Sequence, residues 1–152
     1  DLLLVGGGNT FHLLKECRGR GLLRLLKTRV LSGCGYIGWS AGSVLACPTI
    51  KTTNDMPIVD PGGLEALGLL PFQLNCHYTN ASIPGHQGET RDQRLAEFAR
   101  VNPEMPVLGL PEDDWLRVSG ERIELRGPHP AAWFHGEMRQ PMQPGRPMPQ
   151  GT

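Results

Sequence analysis

GYIGWSAGSVLAC, residues 35–47, reads as a strand, a sharp turn and the opening of a buried helix. Gly35 to Trp39 is a short apolar run, and Ser40 to Cys47 are all small or apolar, which suits a closely packed helix that Pro48 then stops. The turn itself is Gly38-Trp39-Ser40-Ala41-Gly42, a G-x-S-x-G pattern lying after a strand and before a helix. A turn this sharp lifts the serine hydroxyl out of the sheet, and small neighbours let the backbone make it. The N–H groups that open the helix face any negative charge developing there. The bland alternative is a small-residue turn where helix and strand pack tightly.

Toward the N-terminus the same alternation recurs. Asp1 to Val5 is an apolar run stopped by Gly6-Gly7-Gly8, a buried strand ending in a glycine-permitted loop. Thr10 is placed to cap a leucine-rich helical stretch, which is interrupted at Gly19 and Gly21. This glycine loop offers a second backbone N–H beside Ser40. It fits neither nucleotide motif, because Phe11 stands where a dinucleotide fingerprint needs glycine and the loop does not end in Gly-Lys-Ser/Thr.

Toward the C-terminus, residues 52–61 read as a polar loop and Phe72 to Asn75 as a third strand. The pattern predicts a helix over Arg91 to Val101 and a strand over Val107 to Leu110. A hairpin comes next, Trp115 to Val118 and Arg122 to Leu125, turning through Ser119-Gly120-Glu121. Strands alternating with helices predict an α/β fold with a mostly parallel sheet and an antiparallel addition near its end. One catalytic domain is expected over residues 1–136, with a loose proline-rich tail over 137–152.

Composition narrows the function. Lys plus Arg and Asp plus Glu number 15 each among 152 residues and are scattered, which points away from nucleic acid and anionic membranes and toward a small-molecule substrate. The apolar runs are too short to cross a bilayer, and the opening DLLLVGGGNTF lacks a basic n-region and a small-residue cleavage site, so export is not expected. Cys17, Cys34, Cys47 and Cys76 have neither zinc-site spacing nor disulfide-scaffold density, so the expectation is a reducing cytoplasm with no metal or cofactor.

A serine needs a base to take its proton. Of five histidines, His12, His86, His129 and His135 read as surface residues, whereas His77 comes after a strand, at the edge where a parallel sheet gathers its active-site loops. The orienting acid has several candidates: Glu112 ends the next strand, Asp113 and Asp114 adjoin it, and Asp55 or Asp60 would give the order of an α/β-hydrolase esterase.

Six segments taken together resemble the peptidase E, or aspartyl dipeptidase, family of serine peptidases. They are GGGNTF at 6–11, GWSAGS at 38–43, TIKTTNDMPIVDP at 49–61, FQLNCHYTN at 72–80, GHQGETRDQR at 85–94 and GLPEDDW at 109–115. The resemblance runs in order from Asp1 to about Trp133. It implies a flavodoxin-like three-layer α/β sandwich related to class I glutamine amidotransferases, lacking here the family's N-terminal strand-helix units. It also implies hydrolysis of dipeptides with an N-terminal aspartate by a Ser40-His77-Glu112 triad, with oxyanion donors at the N–H groups of Gly8 and Ala41.

Such a substrate needs a cation for its side-chain carboxylate, for which Arg91 is the candidate because guanidinium binds carboxylate through two parallel hydrogen bonds. Asp55 is expected at the substrate amine and Asn9 as a further substrate contact. The chain departs from the family at Cys76, where proline is common. A homo-oligomer, or an N-terminal segment that completes the sheet, is an expected partner. The rival outcomes are the esterase and an inactive binding or assembly module that keeps the peptidase core.

Overall fold

The computed structural model describes residues 1–81, 85 and 88–149, so the expected surface position of His86 lies outside the described residues. The chain divides into two compact units, Asp1–Leu74 and Asn75–Thr152. Glycine loops, apolar runs and helix caps build each of them.

In the first unit β1 (Leu2–Val5) pairs in parallel with β2 (Gly35–Gly38), Leu2 opposite Gly35 and Val5 opposite Gly38. Parallel neighbours need a long crossover, and α1 (Thr10–Gly19) and α2 (Leu22–Leu31) supply it. The break between them is Gly21, at φ 66, a left-handed conformation that glycine adopts without strain. The short α3 (Ala41–Leu45) packs on one face of the pair, and Leu14, Val44, Leu45 and Ile50 are buried in this unit.

Two sequence expectations are corrected here. The cap of α1 is Asn9, whose Oδ1 accepts from the His12 N–H, whereas Thr10 lies inside the helix with its hydroxyl bound to Asp55. The strands β1 and β2 are not buried on both faces. Burial alternates along them, leaving Leu2, Leu4 and Ile37 at 55, 64 and 52 % exposure on the face away from the better buried residues. Alternation results from the pleat, which sends successive side chains to opposite faces.

The strand β3 (Gln73–Cys76) spans the division between the units. With β4 (Val107–Leu110), β7 (Ala131–His135) and β8 (Met138–Met142) it forms a four-stranded sheet in the order β3-β4-β7-β8. Both β4–β7 and β7–β8 are antiparallel. The predicted hairpin is present as β5 (Trp115–Ser119) and β6 (Arg122–Arg126), with Gly120 left-handed in its two-residue turn. The helix α4 (Arg91–Val101) has the predicted bounds and begins with a capping box, in which the Thr90 side chain accepts from Gln93 N–H and the Gln93 side chain accepts from Thr90 N–H. It packs Leu95 and Ala99 against Tyr78, Val107, Ala132 and Phe134.

Part of the expected loose tail is ordered. Residues 138–142 form β8, and Met142 and Met148 are 9 and 6 % exposed. Pro141 is compatible with this because β8 is an edge strand, where a missing N–H leaves no interior ladder bond unmade.

Candidate active site

The first unit supplies a strained serine. Ser40 immediately precedes α3 with φ 53 and ψ −117, a conformation that costs a non-glycine residue roughly 1–3 kcal/mol and persists only where the surroundings impose it. Those surroundings are identifiable. A Cβ on Gly38 would stand 2.5 Å from the Gly42 carbonyl oxygen, and one on Gly42 would overlap the Val5 carbonyl. The Ser43 hydroxyl donates to Gly38 O at 2.8 Å and the Tyr36 phenol to Gly42 O at 2.7 Å. Burial pushes the Tyr36 phenol above its ordinary range, which keeps it protonated as that donor.

The glycine loop comes beside this serine. A Cβ on Gly7 would be 3.3 Å from Ser40 Cβ and 3.7 Å from its Oγ. Gly8 has φ 124, and a Cβ there would meet nothing within 4 Å, so the backbone conformation rather than space explains glycine at that position. The loop is fastened by a later segment of the same unit. Asp55 Oδ2 accepts from Thr10 N–H at 2.7 Å and from its hydroxyl at 2.5 Å, and Asn9 Nδ2 donates to Met56 O at 2.8 Å. Asp55 and Asn9, expected to meet substrate, thus both carry structural bonds next to the glycine loop. Asp60 is exposed and accepts from Gly62 N–H within its own turn.

The second unit supplies a histidine and a carboxylate. His77 Nδ1 and Glu112 Oε1 are 2.5 Å apart, with side chains 52 and 72 % exposed. Glu112 comes after β4 as His77 comes after β3, so two strand ends bring together residues 35 apart in sequence. With Nδ1 engaged by the carboxylate, Nε2 is the ring's other nitrogen able to exchange a proton. Ion pairs this exposed contribute only ~0–1 kcal/mol, so the bond does not by itself fix the geometry. Asp114, a rival acid, is held in another direction: its Oδ1 accepts from His129 N–H at 3.1 Å.

Arg91 opens α4 in the same unit. Its Nη1 donates to Asn75 Oδ1 at 2.9 Å and reaches Cys76 O at 3.5 Å, directly before His77 in the chain. Burial, then the neighbouring Arg94, holds this guanidinium below the usual arginine range. Asn75 was not singled out by sequence, although a polar side chain within a strand buried at every position must find a partner. Tyr78 also went unread. Its hydroxyl meets Asp92, and Arg139 Nη2 donates to it at 3.3 Å. Among the described residues no group of three or more His, Cys, Asp or Glu side chains is arranged to hold a metal ion, and no helix is long and apolar enough to cross a membrane.

Comparison with known proteins places this geometry in a family context. The family model described as peptidase family S51 matches residues 1–126. The peptidase E of Salmonella arizonae is 60 % identical over 129 residues, which are 85 % of this chain and 56 % of that protein. The peptidase E of Citrobacter koseri is 56 % identical over 146 residues, 95 % of this chain and 64 % of that one. The chain therefore spans little more than half to under two thirds of the length of these relatives. A crystal structure from Listeria monocytogenes EGD-e, provisionally assigned as a peptidase E, superposes with a TM-score of 0.68 at 26 % identity, covering 85 % of this chain and 60 % of its own. A peptidase from an acI-B1 actinobacterium gives 0.62 at 15 % identity, covering 97 and 58 %, and shares the fold.

Proposed function

The chain belongs to peptidase family S51, and on that premise we propose that it is a serine peptidase that hydrolyses dipeptides with an N-terminal aspartate through Ser40, His77 and Glu112. The observation that carries the proposal is the strained positive-φ serine held between Gly38 and Gly42, a costly arrangement with a clear chemical use.

In this reading His77 Nε2 takes the Ser40 proton as the oxygen attacks the peptide carbonyl. Glu112 holds the ring in the tautomer with its proton on Nδ1 and stabilises the imidazolium that forms. The backbone N–H groups of Gly8 and Ala41 bind the oxyanion. His77 then donates its proton to the leaving amine, and water repeats the cycle on the acyl-enzyme to release aspartate. The carboxylate of the substrate's first residue pairs with Arg91, whose partly buried cation, already bound to Asn75, gains from an anionic partner. Asp55 acts by holding Thr10, and through it the turn after Gly8, in place.

The test is hydrolysis of Asp-X against Ala-X dipeptides. Ser40→Ala is expected to remove turnover and keep the fold by circular dichroism. Arg91→Met is expected to lower kcat/KM for Asp-X by roughly ten- to a hundredfold, the range of a hydrogen bond to a charged group, and to leave Ala-X nearly unchanged. Equal rates on both substrates in the parent chain would defeat the specificity, and turnover by Ser40→Ala would defeat the mechanism.

A further inference from the structure

Two observations leave the His77–Glu112 pair in need of support. The pair is more than half exposed, so water competes for both side chains, and His77 itself has φ 55, which a β-carbon disfavours. Something next to it must hold the backbone in that conformation. The adjoining residue, Tyr78, is itself fixed from three directions.

Tyr78 N–H donates to Leu110 O at 2.9 Å, tying the histidine segment to the end of β4 two residues before Glu112. The Tyr78 ring lies on Gly109, where a Cβ would be 2.5 Å from Cδ2, so this strand position accepts only glycine beneath the ring. The ring meets Phe134 edge-on, with centroids 6.4 Å apart. Beyond the ring, the hydroxyl is shared between Asp92 on α4 and Arg139 on β8, and Arg139 Nε closes the triangle with Asp92 Oδ2 at 2.6 Å. Burial and the bond to Asp92 both push the phenol upward, so it remains a donor to the carboxylate at neutral pH.

We propose that Tyr78 is a positioning residue, clamped by Asp92 and Arg139 on its seat at Gly109, and that this clamp sets the His77–Glu112 hydrogen bond. The inference rests on the serine peptidase reading for its kinetic consequence and not for its geometry. It enlists β8, which lies beyond the 1–126 segment matched by the family model. Arg139 also stacks over Phe134, 5.9 Å from the ring centroid, so the arm that reaches Tyr78 is itself anchored.

The experiment is nuclear magnetic resonance of the full 152-residue chain, reading the downfield Nδ1–H proton of His77, assigned by its disappearance in His77→Gln. Tyr78→Phe keeps the ring on Gly109 and removes the hydroxyl; Arg139→Met removes the outer arm, and Arg139→Lys keeps its charge. The parent chain is expected to show the resonance, Tyr78→Phe and Arg139→Met to broaden or displace it, and Arg139→Lys to restore it in part. In the dipeptide assay kcat should fall about tenfold in the first two variants, with KM changed less than about twofold, as expected from loss of orientation rather than of binding. If Tyr78→Phe does not fold, Arg139→Met decides. An unaltered resonance in the folded variants, or none in the parent chain, overturns the clamp. Turnover that survives His77→Gln overturns the peptidase reading instead, whatever the resonance does.

Discussion

Gly42 has no space for a side chain. A single methyl there would collide with the Val5 carbonyl and approach Gly6 O to 3.1 Å, and neither backbone can move without separating α3 from β1. Gly42→Ala is therefore expected to lose roughly 1–3 kcal/mol of stability as an overpacked site, read from urea unfolding. A midpoint equal to that of the parent would mean that the elbow is looser than its geometry indicates. Serine and glycine at these positions were legible in the sequence because the G-x-S-x-G pattern constrains a backbone, and backbone constraints write directly into residue type. The partners of Thr10 and Tyr78 were not. Asp55 reaches Thr10 across 45 residues, and Tyr78 finds Arg139 across 61, distances over which sequence carries no register.

Elements with strong local signals were read to within a residue. The apolar pattern of Leu95, Phe98 and Ala99 gave α4 its bounds, Arg91–Val101, and the structure adds the capping box of Thr90 and Gln93 that fixes its start. The hairpin β5–β6 was likewise evident from alternation on either side of Gly120. The strands β7 and β8 were missed for an opposite reason. Ala131 to Phe134 is a short apolar run with prolines close before it, and Pro141 argues against a strand unless that strand is known to lie at an edge.

The hairpin carries its own electrostatic prediction. Glu124, 5 % exposed on β6, lies between Arg122 and Arg126, and the hydrogen bond from Arg126 holds its carboxyl below the usual range against the opposing effect of burial. A carboxyl with a depressed folded-state pKa contributes stability above its unfolded value and loses that contribution as pH falls through the folded one. The melting temperature should thus start to fall as pH drops below about 5, where an ordinary glutamate begins to protonate, and Glu124→Gln should flatten that part of the profile. Parallel profiles for the two proteins would remove Glu124 from the account.

For the whole molecule, fold class and family were accessible from alternation, glycine turns and six ordered motifs, and the α/β class agrees with the solved structures. The exposure of Leu2, Leu4 and Ile37 was not, since an apolar strand reads as buried whether or not this chain supplies both covering layers. The chain spans 56 to 64 % of the length of the curated relatives named above. Function in this account depends on Ser40 being activated by His77. Treatment of the folded chain with a fluorophosphonate, with intact mass and peptide mapping as the readout, tests that claim directly. The account predicts one adduct per chain, on Ser40, absent in Ser40→Ala and formed at least about a hundredfold more slowly in His77→Gln. An unlabelled parent chain, an adduct elsewhere, or a rate unaffected by the loss of His77 would contradict it.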